Sequence, residues 1–138
     1  MSKVLFVCKQ NAGRSQMSEA LFARAAGARH ESRSAGTRPA ELVHPVVAEA
    51  MREIGLEVSG NRPQQLTDEL GQWADVVITM GCGDECPYIP GKRYIDWELE
   101  DPAAKPLAEV RAIRDDIARH VEALVVELDA RRPVSSNT

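Results

Sequence analysis

Residues 8–15 read Cys-Lys-Gln-Asn-Ala-Gly-Arg-Ser and follow the apolar run Val4-Leu5-Phe6-Val7. The cysteine ends a predicted strand, and the arginine and serine start a predicted helix. A loop in that position turns successive N–H groups toward one point and carries the positive end of the helix dipole. Arg14 would grip two oxygens of a tetrahedral oxyanion at once. Cys8 would lie beneath the ion, with the Ser15 hydroxyl bonded to its sulfur. The thiolate is the nucleophilic form of cysteine, and an arginine at a helix N-terminus favours it. Asn11, Ala12, Gly13, Arg14 and Ser15 form the predicted anion cradle, with Gly13 allowing a tight turn and Asn11 bracing the loop. The implied chemistry is attack by sulfur on a bound oxyanion.

Several elements must position that loop. Residues 3–7 are short and continuously apolar, as in a buried strand. Helix signals begin at Ser15, with Met17, Ala20, Leu21 and Ala25 as the apolar stripe and Gly27 as the stop. Residues 30–34 read as a second strand with one wet face, marked by Glu31 and Arg33 and closed by Ala35-Gly36. His44-Pro45 opens a second helix, with Val47, Ala50, Met51 and Ile54 on one side and Gly55 at its end. Thr67 caps a short helical turn. Residues 74–80 are a third strand, 81–91 a loop holding Cys82 and Cys86, and 92–97 a fourth strand. Residues 107–128 carry a helical stripe of Val110, Ile113, Ile117, Val121, Leu124, Val125 and Leu128. Strands alternating with helices predict an α/β fold with a parallel sheet covered on both faces. Ligands of such sheets bind beyond the carboxyl ends of the strands. The loops after the first, third and fourth strands then share one rim and bring together Cys8, Cys82, Cys86 and Asp101.

The chain has 138 residues, which suits one domain, and a net charge of −4. That acidic balance argues against nucleic-acid and membrane-surface partners, whose electrostatic footprint is basic. The N-terminal apolar run is too short for a signal-peptide core or a membrane span, so a cytoplasmic location is expected. Three cysteines are too few for a disulfide scaffold. A zinc site needs four ligands in paired clusters, and His30, His44 and His120 are isolated, so they read as surface or helix residues and no metal is expected. A thiol relay fits Cys82 and Cys86 better, since a thiolate can attack a disulfide and pass oxidation from a deep sulfur to an exposed one.

The Cys-x5-Arg-Ser loop resembles the signature of the low-molecular-weight protein tyrosine phosphatase fold. The resemblance implies a four-stranded parallel sheet with helices on both faces, and an aspartate in an Asp-Pro pair that serves the anion site; Asp101-Pro102 matches it. Within that fold the chain is similar to the arsenate reductase branch. The markers are Cys-x-x-Asn-x-x-Arg-Ser-Gln-Met at 8–17, Ser-Ala-Gly at 34–36, Cys-Gly-Asp at 82–84 and Asp-Pro-Ala at 101–103. Residues 1–130 would form the reductase domain and 131–138 a flexible tail.

The resemblance implies arsenate as substrate and Cys8, Arg14, Cys82, Cys86 and Asp101 as the catalytic set. Cys8 would form an adduct with arsenic, Cys82 would attack Cys8 and release arsenite, and Cys86 would attack Cys82. The resemblance implies no tightly bound cofactor. Reducing equivalents would come from thioredoxin, or from a glutaredoxin- or mycoredoxin-type partner or a small thiol such as glutathione or mycothiol. Some members hold potassium beside the loop; Glu19 and Ser34 match that site, whereas residues 61–65 do not. The rival reading is a tyrosine phosphatase, and Ala103-Ala104 after the Asp-Pro, where phosphatases of the family carry tyrosines, counts against it. A non-catalytic anion-binding module would not need Asp101.

Overall fold

The computed structural model describes residues 1–81, 88 and 90–131. In chain order the elements are β1 (Lys3–Cys8), α1 (Arg14–Ala26), a 3₁₀ turn (Gly27–Arg29), β2 (Glu31–Gly36), α2 (Pro45–Arg52), α3 (Asp68–Trp73), β3 (Val76–Thr79), β4 (Arg93–Asp96) and α4 (Leu107–Ala130). The four strands lie in the order β2-β1-β3-β4, and every pairing is parallel. The chain moves outward from β1 to β2, then crosses back to β3 and β4. The strand order therefore reverses between β1 and β3, and a crevice opens beyond their carboxyl ends. Cys8 ends β1 at that crevice, and Met80-Gly81 follow β3 into it.

Alternation along β1 divides the core. Val4, Phe6 and Cys8 join the larger cluster, with Met17 and Phe22 of α1, Met51 of α2 and Ile117 of α4. Leu5 and Val7 pack on the other face with Ala35, Val77 and Leu70 of α3. The expected helices on both faces are present, although among the described residues one face carries only the short α3. Thr67 caps α3 as expected, its hydroxyl accepting from Leu70 N–H at 3.2 Å.

Two expectations about side chains need correction. Ala25 is exposed, and Phe22 and Ala26 take its place on the buried side of α1. His30 is not a surface residue: it is buried, with Nδ1 accepting from the Ser2 N–H at 3.0 Å. Because Nδ1 accepts, the proton sits on Nε2, which donates to Asp129 Oδ1 at 2.9 Å. The ring thus ties the chain start to the end of α4, at the end of the sheet opposite the crevice. The proposed tail lies outside the described residues apart from Arg131.

Candidate active site

The loop after β1 is held open from outside. The segment 37–44 runs beside it and donates to its carbonyls: Thr37 N–H to Cys8 O at 3.2 Å, Arg38 to Lys9 at 2.7 Å, Ala40 to Gln10 at 3.0 Å and His44 to Ala12 at 3.0 Å. Gln16 Nε2 donates to Asn11 O at 3.1 Å, and Met17 N–H to Gly13 O at 3.0 Å. Every carbonyl from residue 8 to residue 13 is thus engaged by a partner outside the loop. Among the described residues the N–H groups of Ala12, Gly13, Arg14 and Ser15 have no acceptor. Unsatisfied N–H groups at a helix start form an anion site.

Asn11 sets the polarity around the sulfur. Its backbone is left-handed, with φ of 51°, a conformation asparagine tolerates better than most residues. Its Oδ1 accepts from the Gln64 N–H at 3.0 Å, which fixes the amide so that Nδ2 donates to Ser15 Oγ at 2.7 Å. The Ser15 hydroxyl accepts there, so its own proton points to Cys8 Sγ at 2.8 Å. The Asn11 N–H donates to the same sulfur at 3.3 Å. Cys8 Sγ therefore receives hydrogen bonds rather than giving one, as a nucleophilic sulfur requires. Sequence reasoning gave Asn11 a bracing role; the structure adds Gln64 and Gln16 as its partners.

Arg14 is buried, yet it reaches the far side of the crevice. Its Nη1 donates to Leu99 O at 3.3 Å, and its Nη2 lies 3.7 Å from Asp101 Oδ2. Gly81 makes room for it: a Cβ there would fall 2.1 Å from Arg14 Nη1, and φ of 81° also selects glycine. Gly13 is also bare for a steric reason. A Cβ on it would lie 2.7 Å from Pro102 Cγ, so the missing side chain lets the Asp101-Pro102 loop close on the anion loop. Asp101 is more than half exposed, and its Oδ1 accepts from the Ala103 N–H at 3.0 Å.

These groups enclose a cavity of about 160 Å³ lined by Cys8, Lys9, Gln10, Gly13, Arg14, His44 and Asp101. It is smaller than the roughly 300 Å³ at which pockets for drug-sized ligands begin. No Phe, Tyr or Trp lines it among the described residues. A small tetrahedral oxyanion suits its size and its donors.

A second, polar cavity of about 250 Å³ lies behind the loop, lined by Asn11, Gln16, Glu19, Ser34, Asn61, Arg62 and Gln64. Burial pushes the Glu19 carboxyl above its ordinary value, against the hydrogen bond from Ser34 Oγ at 2.5 Å and the charge of Arg33. The one carboxylate of that wall is thus already held by a hydroxyl, and the Arg62 side chain shares the lining.

The structure brings Cys8, Arg14 and Asp101 together as expected. Cys82 and Cys86 lie outside the described residues. His44, read as isolated in the sequence, lines the anion cavity. Its only sequence signal is its place before Pro45 at a helix start. Near the rim, Tyr88 is exposed and stacks on Tyr94 at 5.2 Å, whereas Trp97 is buried between Phe6 and His120.

A parallel sheet with a Cys-x5-Arg cradle at its switch point and an aspartate at the mouth defines a family, and the chain belongs to it: low molecular weight phosphotyrosine protein phosphatase, matched over residues 3–134. Its relatives narrow the resemblance. A Halobacterium salinarum protein provisionally named an arsenate reductase is 41% identical, with 93% of this chain and 94% of the relative covered. The glutaredoxin arsenate reductase of Synechocystis is 34% identical over 93% of this chain and 99% of its own length. The solved thioredoxin-dependent arsenate reductase of Corynebacterium glutamicum superposes with a TM-score of 0.83 at 42% identity. That match covers 96% of this chain but 64% of the Corynebacterium chain.

Proposed function

We propose that this protein reduces arsenate to arsenite, with Cys8 as the nucleophile and Cys82 and Cys86 as a disulfide relay. The observation that carries the reading is the small polar cavity in which Cys8 Sγ receives two hydrogen bonds, with Arg14 and Asp101 on its walls. The arsenate reductases among its relatives support it.

Arg14 and the loop N–H groups hold the ion. Cys8 forms a sulfur–arsenic bond as an arsenic–oxygen bond breaks, and the oxygen leaves as water with a proton delivered through Asp101. The Cys82 thiolate then attacks Cys8 Sγ. The electron pair of the sulfur–arsenic bond passes to arsenic, which departs as arsenite and leaves a Cys8–Cys82 disulfide. Attack by Cys86 on Cys82 frees Cys8 and gives a Cys82–Cys86 disulfide. An external dithiol of the thioredoxin type supplies the two electrons that reopen it. The Synechocystis relative makes a glutaredoxin-type reductant the second reading.

Purified protein given arsenate, thioredoxin, thioredoxin reductase and NADPH is expected to consume NADPH continuously. Cys82→Ser should stop multiple turnover while still forming the Cys8 adduct. No consumption with thioredoxin, but consumption with glutaredoxin and glutathione, would move the reductant to the second class. No arsenite with any reductant, alongside rapid hydrolysis of an aryl phosphate, would replace the reductase reading with a phosphatase.

A further inference from the structure

We propose that His44 is a further oxyanion-binding residue, supplying the cavity with a donor that the anion loop does not contain. Its imidazole shares the cavity with Cys8, Arg14 and Asp101. The backbone around it is fixed. His44 N–H donates to Ala12 O at 3.0 Å, and its carbonyl accepts from Val47 and Ala48, each at 3.0 Å. Pro45, at the first position of α2, restricts His44 further, and its φ of −58° and ψ of 129° lie in the extended region such a residue prefers. The ring comes to rest beside Gly13: the Cβ that Gly13 lacks would lie 3.5 Å from His44 Cδ2 and 2.7 Å from Pro102 Cγ. His44 and the Asp101-Pro102 loop thus meet the anion loop at the same bare glycine.

The rest of the donor inventory explains why this ring matters. Arg14 divides its guanidinium between Leu99 O and Asp101. The free loop N–H groups all come from one short segment, residues 12–15. Neither nitrogen of His44 has a hydrogen-bond partner among the described residues, although the ring is half-buried. Its ring nitrogens are therefore available to an ion bound in the cavity they border. An imidazole presents an N–H in either protonation state, so it can donate to an oxyanion beside Lys9 and Arg14 and opposite the charge of Asp101 without changing its own charge. The chemical class it recognises is a tetrahedral inorganic oxyanion, arsenate or phosphate.

This inference rests on the oxyanion reading of the cavity and not on reduction, so its test avoids turnover. Cys8 is alkylated with iodoacetamide in the full chain under increasing arsenate or inorganic phosphate, and peptide mass spectrometry follows Cys8 alone. His44→Phe keeps the ring shape and the backbone bonds but removes the donor, and His44→Asn restores a donor. Loss of one hydrogen bond to a charged ligand predicts that His44→Phe needs about tenfold more anion for half-protection, with His44→Asn within about threefold of wild type. His44→Leu repeats the measurement should phenylalanine disturb the fold, as judged by melting temperature. In the reductase assay the same variants should raise KM for arsenate with little change in kcat. Equal protection in wild type and His44→Phe would overturn the role, as would equal loss in the phenylalanine and asparagine variants. If neither ion protects wild-type Cys8, the oxyanion reading falls and His44 with it. If His44-dependent protection persists where arsenate is never reduced, only the reductase reading is lost.

Discussion

The floor of the oxyanion cavity is buried and cross-braced, whereas its mouth stands in solvent on few contacts. On the floor, Asn11 and Ser15 are fully buried, and every carbonyl of residues 8–13 has a partner from outside the loop. At the mouth, Asp101 is more than half exposed, held by one N–H bond and a 3.7 Å ion pair. The difference matches what each side does in the proposed reaction. N–H groups that stabilise charge must already be aimed before the ion arrives, because reorientation during reaction costs what the interaction gains. A proton-delivering carboxylate needs contact with water and only loose restraint. Damage to the floor should therefore cost both stability and chemistry, and damage to the mouth chemistry alone.

The sharpest way to break that contrast is Asn11→Ala. It removes the amide that orders Ser15 and Gln64 and leaves alanine in a left-handed conformation. We expect a loss of about 3 kcal/mol by urea unfolding and a fall of about 10³-fold in kcat/KM. A fully active, fully stable variant would mean that the loop is not pre-organised by this residue. Asp101→Asn should lower kcat about 10²-fold while changing stability by less than about 0.5 kcal/mol. Unfolding curves that shift as far as those of Asn11→Ala would erase the distinction between floor and mouth.

Gly81→Ala probes the boundary between the two. The added methyl would strike Arg14 Nη1 and oppose a φ of 81°. Arsenate or phosphate should then protect Cys8 from alkylation about tenfold less well, at a stability cost of about 1–2 kcal/mol.

The smallest expected effect lies far from the cavity. Hydrogen bonds from Arg111 and then Arg114 lower the Glu53 carboxyl to about 2 and join the turn after α2 to α4. Its folded value is depressed, so its contribution is present above the ordinary value of 4.5 and lost as pH falls toward 2. Glu53→Gln should lower the melting temperature slightly at neutral pH and flatten its decline on acidification. Glu19 has the opposite sign, because burial raises it: stability is lost as pH rises through its raised folded value. Glu19→Gln should remove that loss without altering the acid limb.

Much of this molecule is local in origin and was legible in the sequence. The apolar run before Cys8 forms the central strand, the stripe from Val110 to Leu128 is buried as its spacing requires, and Thr67 caps its helix. The spacing Cys-x5-Arg-Ser marks the cradle because one segment of eight residues, 8–15, suffices to build it. The resemblance to a family added Asp101 at a distance no local pattern could span. Ala25 was misplaced because consecutive residues of a helix lie about 100° apart, so a shift of one position moves the stripe to Ala26.

The sequence by itself determined the Cys8-to-Arg14 spacing, the strand-loop-helix that presents those two residues and the alternation that makes the sheet parallel. Those follow from periodicity, turn chemistry and short spacings. Only the tertiary structure decided what aims the cradle and what faces it. Residues 37–44 turn the loop carbonyls outward, Gln64 orients Asn11, Gly81 admits Arg14, and His44 closes on Gly13. Each is a contact between residues well apart along the chain, made by backbone groups or by side chains whose local setting carries no distinctive pattern. Such contacts exist only once the crossovers of the sheet have brought those segments to one rim.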